Sequence, residues 1–286
     1  MRLFLLFNLI FFSGVLCHAS NPDSVYFQSI ERMALKLYNE TPDSVKKEAN
    51  DSIRINLKRL LETFESTRFP FDSLKFVKTI SPKNNSFHLI TWTVPFNEGH
   101  RYYGFLQVLA KNEIPDVIEL MDNHAKYDLN QSYTADNWPG AVYYELIENQ
   151  TRKATFYTLF GWVGGENGTA KRVIETLIFN AEETPVFGAP VFMLDQNKLQ
   201  CRIVFEFTDQ VPFHLAYEEQ FIPDRRNRKG FMIVFNRLGG NDPEMGRFFR
   251  AAVPSYSIFD ALIFDEGIWH LHTDIDPRTP DSSIPE

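Results

Sequence analysis

Two cysteines in 286 residues, Cys17 and Cys201, leave almost no room for disulfide chemistry. If the opening segment is removed, Cys201 stands alone, and a lone cysteine forms no intramolecular bridge. It lies in the apolar pattern "LQCRIVFEF" and is expected to be a buried, inert thiol. Positive charge is also scarce. The formal net charge is −8, and nucleic-acid binding, which rests on a basic surface, is excluded as a partner class. The one basic cluster, "DRRNRKG" from Asp224 to Gly230, reads as a solvated loop tip between two apolar strands. Beyond the first dozen residues no apolar run approaches the roughly 20 residues of a membrane-spanning helix, so no transmembrane segment is expected in the mature chain. Catalytic signatures are missing as well. There is no Gly-x-Ser-x-Gly, Ser-x-x-Lys, His-Glu-x-x-His or phosphate loop. The glycine-rich "GWVGGENG" lies between strand patterns and reads as a hairpin loop, and "GGNDPEMG" lacks the ordered ligand spacing of a calcium site.

What is present begins with "MRLFLLFNLIFFSGVLCHAS". One basic residue, a short apolar run and small residues before a possible cut after Ala19 make residues 1–19 a secretory signal peptide. Lipidation at Cys17 would want a small residue before it, and Leu16 is not small. An exported chain, periplasmic or extracellular and without a lipid anchor, is the expectation. It must then be held together by its core. Hydrophobic residues make up 44% of the chain and phenylalanine alone supplies 27 positions, which fits a packed globular protein rather than a disordered one.

Two helical patterns come first. Tyr26, Phe27, Ile30, Met33, Ala34, Leu37 and Tyr38 keep the three-and-four spacing of an amphipathic helix. After "NETPDS", with Thr41 as the expected N-cap, Val45, Ala49, Ile53, Leu57, Leu60, Leu61 and Phe64 continue a second stripe to about Ser66. Residues 20–68 therefore form an N-terminal two-helix segment. From residue 69 to 276 about a dozen short apolar or alternating runs recur with tight connections, among them the turns Asn97-Glu98-Gly99 and Asp265-Glu266-Gly267. Helical periodicity is missing between them. The fold class is mainly β: a large antiparallel β-sandwich or meander behind the two helices, with a loose tail over 277–286.

Chemistry has four sets of candidates. Glu145, Glu175, Glu206 and Asp260 each alternate with apolar neighbours, so they are candidates for inward-facing acid–base groups. A pair at the right separation would make a glycan hydrolase; an internal ion pair is the structural alternative. "WHLHTDID" sets His270, His272 and Asp274 on one face of an extended strand, the best candidate for a divalent metal in a chain otherwise expected to carry no cofactor. The same alternation describes the wet face of the last strand, expected at a sheet edge. His88, His100, His124 and His214 are scattered singly and read as surface or hydrogen-bonded residues. Trp138 and Trp162 adjoin turns and are expected to be the exposed tryptophans, available for stacking on a sugar.

"FPFDSL", Trp92, "YYGF", "WPGAVYYELI", "FYTLFGW", "KRVIETLIF" and "FGAPVF" follow one another in that order. Their arrangement resembles an uncharacterised family of exported proteins from Bacteroidota, over roughly Phe69 to Asp276. "PSYSIFDAL" departs from it where a turn with glycine and aspartate is expected. The resemblance implies compartment and fold but no activity. It also draws attention to Asp-Ser-aliphatic triplets, which are similar to the O-glycan acceptor pattern of such proteins, at Ser24, Ser44, Ser52 and Ser73. A binding or structural module with an envelope glycan or protein as partner is the expected function, and a glycan-acting hydrolase using paired carboxylates or a metal is the alternative.

Overall fold

The computed structural model describes residues 22–276 apart from 40–41, 64, 69–70, 72–73, 110–112, 124–126, 153, 166–167, 196–197, 224–227 and 240–251. The expected signal segment, the tail, Thr41, Ser73, His124 and most of "DRRNRKG" and "GGNDPEMG" lie outside the described residues, as does the side chain of Ser24.

Helices α1 (Pro22–Tyr38) and α2 (Asp43–Leu61) form where the periodicity placed them. The start of α2 differs from expectation. Pro42 is its N-cap, with no side-chain cap, and the Pro42 carbonyl accepts from the amides of Val45 and Lys46 at 2.9 and 3.1 Å. Asp43, in the first turn, accepts through Oδ2 from the Asn97 amide at 3.0 Å. The helix also stops at Leu61 rather than near Ser66. Thr63 donates its hydroxyl to the Leu60 carbonyl at 2.8 Å and Ser66 to that of Thr63 at 2.6 Å. Such local side-chain bonds satisfy the terminal carbonyls and end the helix, leaving a 3-10 turn at Glu65–Arg68.

Three sheets follow. In the first, β1 (Lys78–Ile80), β2 (Phe87–Phe96), β3 (Gly99–Val108) and β4 (Asp116–Met121) lie in that order, all antiparallel. The second contains β5 (Tyr133–Thr134), β6 (Val142–Gln150), β7 (Thr155–Gly164), β8 (Thr169–Phe179) and β9 (Pro185–Phe187) in the order β5-β9-β8-β7-β6, and β12 (Arg202–Thr208) pairs with the rest of β8. The third contains β10 (Phe192–Asp195), β11 (Lys198–Gln200), β13 (Leu215–Phe221), β14 (Lys229–Gly239), β15 (Val253–Asp265) and β16 (Ile268–Ile275), ordered β11-β10-β16-β15-β14-β13. Only β10 and β16 run parallel among these pairs. The mainly β expectation stands, as a stack of three sheets with the helices laid on the first.

The layers explain the sequence texture. Ile90, Trp92, Val94 and Phe105 of the first sheet pack on Ile53, Leu57 and Leu61 of α2. Phe87, Leu89 and Leu106, on its other face, pack on Tyr143, Leu159 and Val173 of the second sheet. Phe160, Ile174, Ile203 and Phe205 then meet Ile233, Leu262 and Trp269 of the third. A strand covered on both sides reads as a nearly continuous apolar run, which is why "SFHLITWTV" does not alternate cleanly.

Polar groups inside the first interface are paired. Asn50 of α2 accepts from Trp92 Nε1 at 2.9 Å. Gln107 donates through Nε2 to the Leu61 carbonyl and to Ser66 Oγ, both at 2.7 Å. Its Oε1 therefore faces His88 Nδ1 at 2.9 Å, while His88 Nε2 lies 3.1 Å from Asn85 Oδ1.

Candidate functional site

The candidate site begins with two charges that face each other across a β-ladder. Arg202 of β12 is the direct cross-strand partner of Glu175 of β8, and both side chains are fully buried. They sit where the edge of β8 changes hands, because β12 pairs up to Glu175 and β9 takes over from Leu177. Arg202 Nε donates to Glu175 Oε2 at 3.1 Å. Glu175 Oε1 accepts from the hydroxyl of Tyr143, and that oxygen accepts in turn from Trp138 Nε1 at 3.0 Å. Burial, reinforced by the Glu175 charge, pushes the Tyr143 pKa well above that of an ordinary phenol, so Tyr143 stays a donor.

The far end of Arg202 carries the consequence for the surface. Nη1 donates to the carbonyls of Asp128 and, at 2.7 Å, Gln131, and the guanidinium lies 4.6 Å from the Tyr133 ring centroid. The Cys201 amide adds a bond to the Leu129 carbonyl at 2.7 Å. A buried ion pair thus pins the backbone of residues 128–131 from beneath. Above it lies a hollow of about 630 Å3 lined by Asn123, Tyr127, Asp128, Asn130, Gln131 and Asn137 among others. Its walls are rich in carboxamides: Asn123 donates through Nδ2 to the carbonyl and Oδ1 of Asn137, and those of Asn130 and Gln131 can both donate and accept. The side chains of Asn130, Gln131 and Asn137 are exposed, while Asp128 Oδ1 turns back to accept from the Asn130 amide at 2.9 Å.

A second cleft, of about 600 Å3, adjoins the first hollow. His100, Arg101 and Tyr102 of β3, Asp122, Lys171 of β8 and Glu206 of β12 line it, with Tyr127 as a wall common to both. Tyr102 is fixed at both ends. Its amide donates to Asp122 Oδ2 at 2.9 Å, and its hydroxyl accepts from the Gly164 amide at 2.6 Å. Burial raises its pKa to about 12, so it is no base at neutral pH. Lys171 and Glu206 form an ion pair at 3.4 Å.

Burial lowers the pKa of His100, and it lowers that of His88 against a smaller upward pull from the bond with Gln107. Below the ordinary histidine value of about 6.5 the unfolded chain therefore binds protons that the folded chain does not. Their contribution to stability is complete above about pH 6.5 and declines as the pH falls through that window towards the depressed values. Urea midpoints at about pH 7 and about pH 5.5 should differ less in His88→Gln than in the parent; an equal difference would remove His88 from the explanation.

The four candidate acids do not converge. Glu175 is inside and neutralised by Arg202. Glu145 is exposed, because a register shift between Tyr143 and Glu145 breaks the alternation. Tyr143 consequently faces the first sheet and Ile147 the third, so the shared face expected for Tyr143, Glu145 and Ile147 does not exist. Glu206 is exposed and bound to Lys171. Asp260 is buried but receives two bonds from Arg237 and one from the Asp274 amide at 3.0 Å.

The tryptophans also differ from expectation. Trp138 is completely buried, since the bridge between Asp122 and Trp138 draws it beneath the first and second sheets, where it meets Tyr143 and Phe187. Trp162 is half-buried, with its ring edge-on to His100 at 5.2 Å. β16 is not an edge strand: β10 and β15 flank it, and the Trp269 amide donates to the Val191 carbonyl at 2.8 Å. His270 and His272 are half-buried on that strand, whereas Asp274 has a φ of +57° and holds Arg237 Nη1 at 2.9 Å. No group of three or more metal-ligating side chains occurs among the described residues. Ser44 is exposed at the start of α2, and Ser52 Oγ donates to the Glu48 carbonyl within the helix at 3.0 Å. Cys201 is buried, as expected of an inert thiol.

Sequence reasoning passed over Arg202 and the segment 127–133. The available signals were an arginine alternating into an apolar strand and the carboxamide-rich "DLNQSYTADN". No protein-family model matches the chain, and neither the curated proteins nor the solved structures yield a match. No helix among the described residues is long and apolar enough to cross a membrane.

Proposed function

We propose that this is an exported binding module of the periplasm or cell surface, from the Bacteroidota-like family its aromatic pattern resembles, and that it holds an envelope glycan in the hollow over residues 127–133. One observation carries the reading: a buried ion pair is spent on fixing the backbone under a concave, carboxamide-lined surface. Replacing such a pair by apolar residues is often neutral or stabilising, so its presence favours a positioning role over a stabilising one. The wall is almost uncharged and can both donate and accept, which matches hydroxyl and acetamido groups. Hydrolysis is the weaker reading, because each buried candidate acid is already tied to an arginine and the exposed ones do not share a pocket with another of the four.

The test is a thermal-shift screen of the exported chain against envelope-type oligosaccharides. A ligand at 100 times its dissociation constant stabilises by about 2.7 kcal/mol, roughly 5–10 °C for a protein of this size. The shift should vanish in Asn130→Ala/Gln131→Ala, whose side chains are exposed and whose backbone contacts are retained. A sugar hit unaffected by that variant would move the site elsewhere.

A further inference from the structure

The hollow and the charged cleft share more than Tyr127. Asp122 faces the cleft and Asn123 the hollow; Asn137 faces the hollow and Pro139 the cleft. The two segments are joined between these residues by the Asp122–Trp138 bridge and by the Asn123 amide, which donates to the Trp138 carbonyl at 3.1 Å. Tyr127 closes the same wall by donating its hydroxyl to the Gly140 carbonyl. Two concavities of similar volume therefore lie on either side of one braced wall, and each has the size of a small-ligand site. Their linings differ in kind. The hollow offers carboxamides, whereas the cleft offers charged groups of both signs in Arg101, Asp122, Lys171 and Glu206.

We infer that the ligand is a chain of N-acetylated sugars long enough to occupy both, with one segment in the hollow and the next in the cleft across Tyr127. This deepens the binding reading and rests on it. Carboxamides present the donor–acceptor pair of an acetamido group in reverse, and charged side chains make the stronger hydrogen bonds to hydroxyls. Once the first segment is held, the second binds at high effective concentration, so affinity rises steeply with length until both subsites are filled.

The experiment is calorimetric titration of the exported chain with N-acetylglucosamine and its oligomers, from monomer to hexamer. A rise in affinity of at least ~10-fold between the dimer and the longer oligomers is expected. Glu206→Trp, which fills the cleft from an exposed position, should bring the hexamer down to the affinity of the dimer, while Asn130→Ala/Gln131→Ala should weaken every member. An affinity that stops changing at the dimer, or a hexamer indifferent to Glu206→Trp, overturns the two-subsite inference and leaves the hollow standing. If no oligomer binds, the N-acetylated ligand fails in both places. Circular dichroism of each variant separates these outcomes from misfolding.

Discussion

Replacing Arg202 by alanine is expected to cost about 3–5 kcal/mol, the usual penalty for removing one partner of a buried ion pair. Glu175 would keep its charge in the core with the Tyr143 hydroxyl as its one remaining side-chain donor among the described residues. For a chain of this size that corresponds to a fall in the thermal midpoint of roughly 6–20 °C. The carbonyls of Asp128 and Gln131 would lose their donor as well, so the hollow should lose its shape and, with it, the glycan binding proposed for it. Glu175→Leu/Arg202→Met separates the two effects. It removes both charges and should recover most of the stability, yet the oligosaccharide binding proposed for the hollow should stay weak because the loop is still unpinned. If the double variant is as unstable as Arg202→Ala, lost packing rather than an unpaired charge is the cause.

Gly140→Ala is expected to cost about 2–5 kcal/mol from backbone strain and overpacking together. Gly140 has a φ of +85°, where a β-carbon is strained, and that carbon would fall 2.6 Å from Tyr102 Cδ2. Tyr102 cannot swing aside cheaply, since its ring is buried and its hydroxyl holds the Gly164 amide. Gly99→Ala is the control. Its φ of +111° is also left-handed, but nothing lies within 4 Å of the added carbon, so it should lose only the backbone term of about 1–2 kcal/mol. Chemical denaturation of both variants measures the difference, and equal losses would show that Tyr102 yields. Because Tyr102 lines the cleft, the length dependence inferred for oligosaccharide binding should also weaken in Gly140→Ala.

Much of the architecture was legible because it depends on local rules. The stripes through Ile30–Leu37 and Ala49–Leu61 could only be buried as helices. "WTVPFNEGHRYYG" could scarcely be other than a hairpin, and β2 and β3 pair across it from Phe96 and Gly99 outward. Expectation failed where one residue changed the count or an end. The register shift beside Glu145 reverses the faces of β6, Pro42 takes the cap expected of Thr41, and Thr63 and Ser66 stop α2 early. Trp138 failed for another reason. A turn-rich neighbourhood predicts exposure, but "DNWPGA" is held by a bridge to Asp122, which no pattern within it reveals.

The candidate site marks the same boundary. By itself the sequence determined the class of fold, the two helices, most strand positions and the poverty of catalytic motifs, all consequences of periodicity and turn chemistry within a few residues. Only the tertiary structure decided which acid was neutralised, which tryptophan was buried and which loop was braced. Arg202 meets Glu175 across 27 residues and the Asp128 carbonyl across 74. A hydrogen bond tolerates errors of only a few tenths of an ångström, and that precision comes from sheet register and layer packing rather than from any residue's own preference.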